Sequence, residues 1–210
     1  MGIIDFSVLA LFVPTFFFVS ITPGMCMTLA LTMGMAFGVR RTLWMMLGEL
    51  CGVALVAVAA VVGIAAFMLK HPTAFQVFKY CGAAYLGYLG IQMWRARGRM
   101  VFVEPTAGEQ PAIPAVSLVT QGFVTAVANP KGWAFFIALL PPFINQDKPL
   151  FAQMVVLLCI ILTLEFICML IYASGGRTLS RLLHRGENVR LMNRVAGTLM
   201  LGVGVWLALS

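Results

Sequence analysis

The chain is built from long apolar runs separated by short clusters of basic and helix-breaking residues. The runs cover 3–37, 43–69, 75–94, 115–143, 150–175 and 195–209. A hydrocarbon core ~30 Å thick needs about 20 apolar residues of helix to cross it, so the pattern predicts six membrane spans joined by short connections. Two runs carry a conspicuous interruption. Residues 3–37 would make a rod near ~50 Å at ~1.5 Å per residue, and Thr22, Pro23 and Gly24 stand inside it. Residues 115–143 contain Asn129, Pro130 and Lys131. Proline removes a backbone donor and clashes with the carbonyl a turn earlier, so both runs are expected to break into two half-helices, at Pro23 and Pro130.

Composition turns the pattern into a class. The chain of 210 residues is 61% hydrophobic and 10% charged with a mean hydropathy of +0.99, against roughly 25% charged in a soluble domain. An all-α integral membrane protein is expected, with no room for a separate soluble domain. The first run is too long for the apolar part of a signal peptide and is read as a retained span. The net charge of +7 could suggest a nucleic-acid partner, but all the arginines lie between the runs, so no nucleic acid is expected. Arg40, Arg41, Arg95, Arg97, Arg99, Arg177, Arg181, Arg185, Arg190 and Arg194 fall in the first, third and fifth connections, against Lys70, Lys79 and Lys148 on the opposite side. The bias toward basic residues in cytoplasmic loops then places both termini outside, in the periplasm.

Three spans per half is an odd number, so the second half enters the membrane from the other face. The expected organisation is an inverted repeat: residues 1–95, a cytoplasmic linker at 96–114, and residues 115–210. Pro23 and Pro130 stand 107 residues apart. Two broken segments at matching places in two halves are the sequence mark of a secondary transporter with its site at the repeat interface.

Three ionisable groups lie deep in the apolar runs: Glu49, Lys131 and Glu165. Glu49 is eight residues beyond Arg41, ~12 Å along a helix, and Glu165 is 12 residues before Arg177, ~18 Å. Such groups are expensive in a bilayer and mark function unless Lys131 and a glutamate merely form a packed ion pair. The half-helices beginning near Gly24 and Lys131 direct unsatisfied N–H groups toward the breaks, where a carboxylate binds well, and Gly24, without a Cβ, admits close approach. Thr22, Pro23, Gly24, Met25, Asn129, Pro130 and Lys131 are therefore the expected substrate site, with Glu49 and Glu165 binding an amine or carrying a proton. A zwitterion such as an amino acid fits those poles. Ser20, Thr22, Thr28 and Thr32 either line the cavity or bond to their own helix.

The remaining features read as packing. Gly34 with Gly38, and Gly48 with Gly52, are small residues four apart that allow helices to approach. Cys26, Cys51, Cys81, Cys159 and Cys168 have no C-x-x-C spacing, and no metal site or cofactor is expected. No nucleophile, base and orienter set, Gly-rich phosphate loop or H-E-x-x-H stretch is present, so the chain is not expected to be an enzyme. Trp44 and Trp94, near basic connections, are expected interface anchors.

Ile21-Thr22-Pro23-Gly24, the stretch from Lys79 to Arg95, and Asn129-Pro130-Lys131 with Pro142-Phe143-Ile144 together resemble the LysE/RhtB family of amino-acid exporters, particularly its threonine and homoserine efflux branch. The similarity extends over the whole chain. It implies a six-span bacterial inner-membrane exporter that carries small amino acids from cytoplasm to periplasm, with protons as the expected coupling ion. Met25 and Cys26 stand where that family commonly has proline and a small polar residue, and Glu165 where it often has aspartate. The expected partners are the lipid bilayer, a small amino acid and protons; a homo-oligomer is left open. The competing classes are a membrane thiol-redox conduit, suggested by Cys26 beside the first break, and a non-transporting scaffold subunit.

Overall fold

The computed structural model describes residues 6–70, 74–96, 113–145, 147–184 and 186–209. Among the described residues the architecture is all-helical, without strands. In chain order the elements are α1 (Phe6–Ile21), α2 (Met25–Phe37), α3 (Val39–Lys70), α4 (Ala74–Arg95), α5 (Ala115–Val127), α6 (Pro130–Leu139), a 3-10 turn (Pro141–Phe143), α7 (Leu150–His184) and α8 (Gly186–Leu209). Helices α1 and α2 meet at 56°, and α5 meets the α6 segment at 50°. Val39–Gly63 and Leu150–Gly176, with mean hydropathies of 2.3 and 2.9, are each long and apolar enough to cross a membrane, and each bent pair taken as one unit qualifies as well.

Several boundaries differ from the sequence expectation. Arg40 and Arg41, expected in a loop at 38–42, lie in the first turn of α3. The chain reverses at Gly38 alone, whose φ of 75° is open to glycine and strained for other residues, and Arg41 Nη2 donates to the Ile113 carbonyl at 2.7 Å. Of the Gly34 and Gly38 motif, only Gly34 makes the expected close approach to another helix: a Cβ on Gly38 would meet nothing within 4 Å. The basic stretch at 177–194, expected as an amphipathic link, is mostly helical, and the last helix starts before the expected 195. Helix α7 kinks at Gly176 (φ 46°) and runs on to His184, and α8 already begins at Gly186. The expected linker falls largely on residues 97–112, outside the described residues.

Glycines set how closely the helices pack. A Cβ on Gly34 would collide with the Ala173 backbone, one on Gly48 with the Val119 carbonyl, and one on Gly122 with the Met45 carbonyl. Thus α2 lies backbone to backbone on α7, and α3 on α5, the packing expected where no hydrophobic force drives helices together and small residues let them approach. The buried side chains form two clusters. One gathers Phe12, Phe16, Phe135, Phe136 and Phe143 from α1, α6 and the 3-10 turn, with Phe12 and Phe143 edge to face at 5.0 Å. The other gathers Cys26, Met27, Leu31, Met45, Cys168 and Tyr172 from α2, α3 and α7. The two interrupted segments meet between these clusters.

Candidate functional site

The geometry follows from what a proline does four residues upstream. In a continuous helix the Val19 carbonyl would accept from the N–H of residue 23, and Pro23 has none. Lys131, reaching over from α6, fills the position: its Nζ donates to the Val19 carbonyl at 3.0 Å and to the Thr22 carbonyl at 3.4 Å. The Tyr172 hydroxyl, from α7, donates to the Ile21 carbonyl at 2.7 Å. Three carbonyls at the end of α1 are thus satisfied by side chains from elements more than a hundred residues away. Beside them, Ser20 Oγ donates to Glu165 Oε2 at 2.5 Å.

Across the same break the start of α2 is bare. Gly24 is its N-cap, in extended backbone, and no side chain caps the first turn. The first N–H groups of a helix have no partner inside it, so this end presents donors and the positive end of a helix dipole. A Cβ on Gly24 would stand 3.6 Å from Lys131 Nζ, so the missing side chain leaves one flank of the ammonium open.

The second break is closed from within. Asn129 caps α6, its Oδ1 accepting from the Lys131 N–H at 3.1 Å and its carbonyl from Gly132 and Trp133 at 3.1 and 3.3 Å. Trp133 Nε1 donates to the Val127 carbonyl at 2.8 Å. Pro130 is the first helical residue, where a missing N–H is no loss. Asn129 Nδ2 reaches the Cys26 sulfur at 3.3 Å and so joins the two breaks directly.

A cavity of about 60 Å³ opens at this junction, with Ser20, Gly24, Cys26, Asn129, Lys131 and Glu165 on its polar side and Phe16, Phe135 and Phe136 on its apolar side. A second, of about 330 Å³, shares Val19, Lys131 and Phe135 with the first and extends past Pro130 to Tyr85, Gln92 and Met93. Lys131 therefore stands between two cavities.

Of the expected site residues, Gly24, Asn129, Lys131 and Glu165 come together on one cavity, and Thr22 contributes its backbone carbonyl while its hydroxyl bonds to Phe18 of its own helix at 2.6 Å. Thr32 likewise bonds within α2. Pro23 lies between α1 and α2 and has no N–H to offer the Val19 carbonyl, and Pro130 borders the second cavity. Met25 points away, with 51% of its surface exposed. Glu49 is fully buried, and neither carboxyl oxygen has a hydrogen-bond partner. Among the described residues no ion pair within 4 Å joins Lys131 to a glutamate: the ammonium is turned to carbonyls and Glu165 accepts from Ser20. Sequence reasoning missed Tyr172 and Trp133. Glu165, Cys168 and Tyr172 at helical spacing on one face of α7 were the available signal.

The family model described as LysE type translocator matches residues 17–210. The chain belongs to the LysE type translocator family. This translocator is 30% identical over 189 residues to an uncharacterized membrane protein of Vibrio cholerae, covering 90% of each chain. It is 28% identical over 189 residues to the homoserine/homoserine lactone efflux protein of Salmonella typhimurium, again covering 90% of each. With the leucine efflux protein of Enterobacter it shares 26% identity over 195 residues, covering 91% of this chain and 90% of the other. No solved structure matches it.

Proposed function

We propose that this translocator exports small amino acids or close derivatives, of the threonine and homoserine kind, from cytoplasm to periplasm by proton antiport with alternating access. The observation that carries the reading is the dipolar first break. The end of α1 offers carbonyl oxygens beside Glu165, the start of α2 offers uncapped N–H groups, and both border one cavity. A zwitterion matches this: its ammonium faces the α1 end and Glu165, its carboxylate the α2 start. The names of the relatives fit an anchor on the amine, since homoserine, its lactone and leucine all carry one while the lactone has no free carboxylate.

Alternating access rests on the proposed inverted repeat of six spans, with α1 and α2 as one span, α5 and α6 as another, the linker cytoplasmic and both termini periplasmic. Its support is a contact between repeat-equivalent residues. A Cβ on Gly90 would stand 2.8 Å from the Gly197 oxygen, and one on Gly197 2.5 Å from the Gly90 oxygen. Gly90 also faces Leu201 where Gly197 faces Trp94. Residues 90 and 197, and 94 and 201, are 107 positions apart, the separation of Pro23 and Pro130. Reciprocal contacts of this kind are what a two-fold axis between α4 and α8 produces.

Glu165 is the coupling carboxyl in this reading, exchanging its Ser20 hydrogen bond for the substrate amine or a proton, and Glu49 is the second. The test is reconstitution of Glu165→Gln in vesicles with counterflow and proton-driven uptake of homoserine, threonine and leucine measured. Proton-driven accumulation is expected to disappear; accumulation equal to wild type removes Glu165 from the mechanism.

A further inference from the structure

Resting on the export reading, the geometry points to a primary-ammonium site at the end of α1, formed by the Val19 and Thr22 carbonyls, which Lys131 holds as a tethered occupant and from which the ammonium of the exported molecule displaces it. The Val19 carbonyl can have no helical donor four residues on, since Pro23 has no N–H in any conformation. A buried acceptor without a donor is costly, so some donor must be supplied at every stage of a cycle that keeps this region dry. Lys131 Nζ supplies it here at 3.0 Å, with the Thr22 carbonyl as second acceptor at 3.4 Å.

What occupies the site is itself the chemical clue. The lysine head group is a primary ammonium with three N–H donors and a single positive charge, the same group that an amino acid carries on its α-carbon. The negative end of the α1 dipole favours either occupant. Lys131 also has the means to leave: its stem is flexible, and it is flanked by a cavity on each side, Gly24 leaving the first open next to Nζ. Glu165 is not consumed by an ion pair with Lys131 and adjoins the same cavity, so an incoming ammonium finds its carboxyl group as well as the carbonyls.

Displacement makes binding an exchange. As the substrate ammonium takes the carbonyls, the freed Lys131 ammonium becomes available to the substrate carboxylate, and release on the far side requires Lys131 to return. This gives the lysine a role distinct from a fixed ion pair and from a fixed carboxylate clamp.

The test is chemical rescue. Lys131→Ala, full length and purified in detergent, is expected to melt roughly 2–4 °C below wild type. Propylammonium, which restores the deleted stem and head group, is expected to recover that shift, while tetramethylammonium and sodium chloride at equal concentration do not. Rescue by none of these, or equally by tetramethylammonium or sodium, overturns the inference. Should Lys131→Ala fail to fold, wild-type protein serves: an amine-reactive ester is added in excess over the propylammonium, which it also acylates, and modification of Lys131 relative to Lys148 in the same sample is read by mass spectrometry; that ratio is expected to rise several-fold with propylammonium and not with tetramethylammonium, and an unchanged ratio overturns the displacement. Amino-acid flux in wild-type vesicles with no amine effect in either assay defeats this inference alone, whereas amine rescue without flux of any amino compound defeats the export reading and leaves the ammonium site standing.

Discussion

Pro23 and Pro130, 107 residues apart, stand on opposite sides of a helix end. Pro23 follows α1 and strands the Val19 carbonyl, which Lys131 must reach across the molecule to satisfy. Pro130 begins α6, where Asn129 and Trp133 close the break with local hydrogen bonds. Proline thus goes with a helix end closed by distant side chains at one break and with a self-capped end at the other. A proline interruption becomes a site when it leaves backbone groups that only another element or a ligand can satisfy.

The strongest way to break this comparison is Pro23→Ala. An N–H at position 23 can bond to the Val19 carbonyl, compete with Lys131 and let α1 run on toward α2. We expect substrate flux in reconstituted vesicles to fall by about tenfold or more, ~1.4 kcal/mol in barrier terms, while the protein still folds. Flux at the wild-type level would show that the first break does not depend on the orphaned carbonyl.

Tyr172→Phe comes next. The hydroxyl is the donor to the Ile21 carbonyl, and the side chain is 1% exposed, so little water can replace it. Leaving that carbonyl unsatisfied should cost ~1–3 kcal/mol, read as a lower melting temperature in detergent. At the self-capped break, Trp133→Phe removes the donor to Val127 from a half-buried side chain, and the expected loss is smaller, near ~1 kcal/mol. Equal losses would mean that the two breaks are sealed alike.

How much of this was legible before the structure depends on range. The all-helical class and the family follow from apolar runs and from short motifs such as Asn129-Pro130-Lys131, which are local. The stranding of Val19 was also legible, being a matter of counting back from Pro23, although the sequence reading fixed on Lys131 as a neighbour of broken backbone in its own helix. Which donor reaches Val19 was not, because Lys131 and Tyr172 arrive through tertiary packing of α6 and α7. Met25 lies off the cavity, and adjacency to a break says nothing of direction. With Cys26, Met27, Ala30 and Leu31 turned inward, the helical rotation of ~100° per residue leaves Met25 outside. Arg40 and Arg41 were assigned to a loop because a single glycine sufficed for the turn.

Asn129 separates the cap from the link between breaks. Asn129→Ala removes both the N-cap and the contact to Cys26, and should cost ~1 kcal/mol. Asn129→Asp keeps the acceptor for the Lys131 N–H and loses only the Nδ2 donor to the sulfur, so thermal stability should stay closer to wild type. If the aspartate variant falls as far as the alanine one, the thiol contact between the two breaks outweighs the local cap.

Pro130→Ala is expected to do least, and that is its use. At the first helical position the proline withholds an N–H that an α-helix would leave unpaired in any case, and the Ala126 carbonyl four residues earlier already accepts from the Asn129 N–H at 3.2 Å. Alanine frees the backbone at one residue in the unfolded chain, a change of ~0.4–1 kcal/mol against the folded state. Flux should remain within about twofold of wild type, since that bound corresponds to well under 1.4 kcal/mol in barrier. A loss as large as that for Pro23→Ala would mean that interruption of the helix, regardless of which carbonyl it strands, is what transport requires, and the asymmetry between the two breaks would have no functional content.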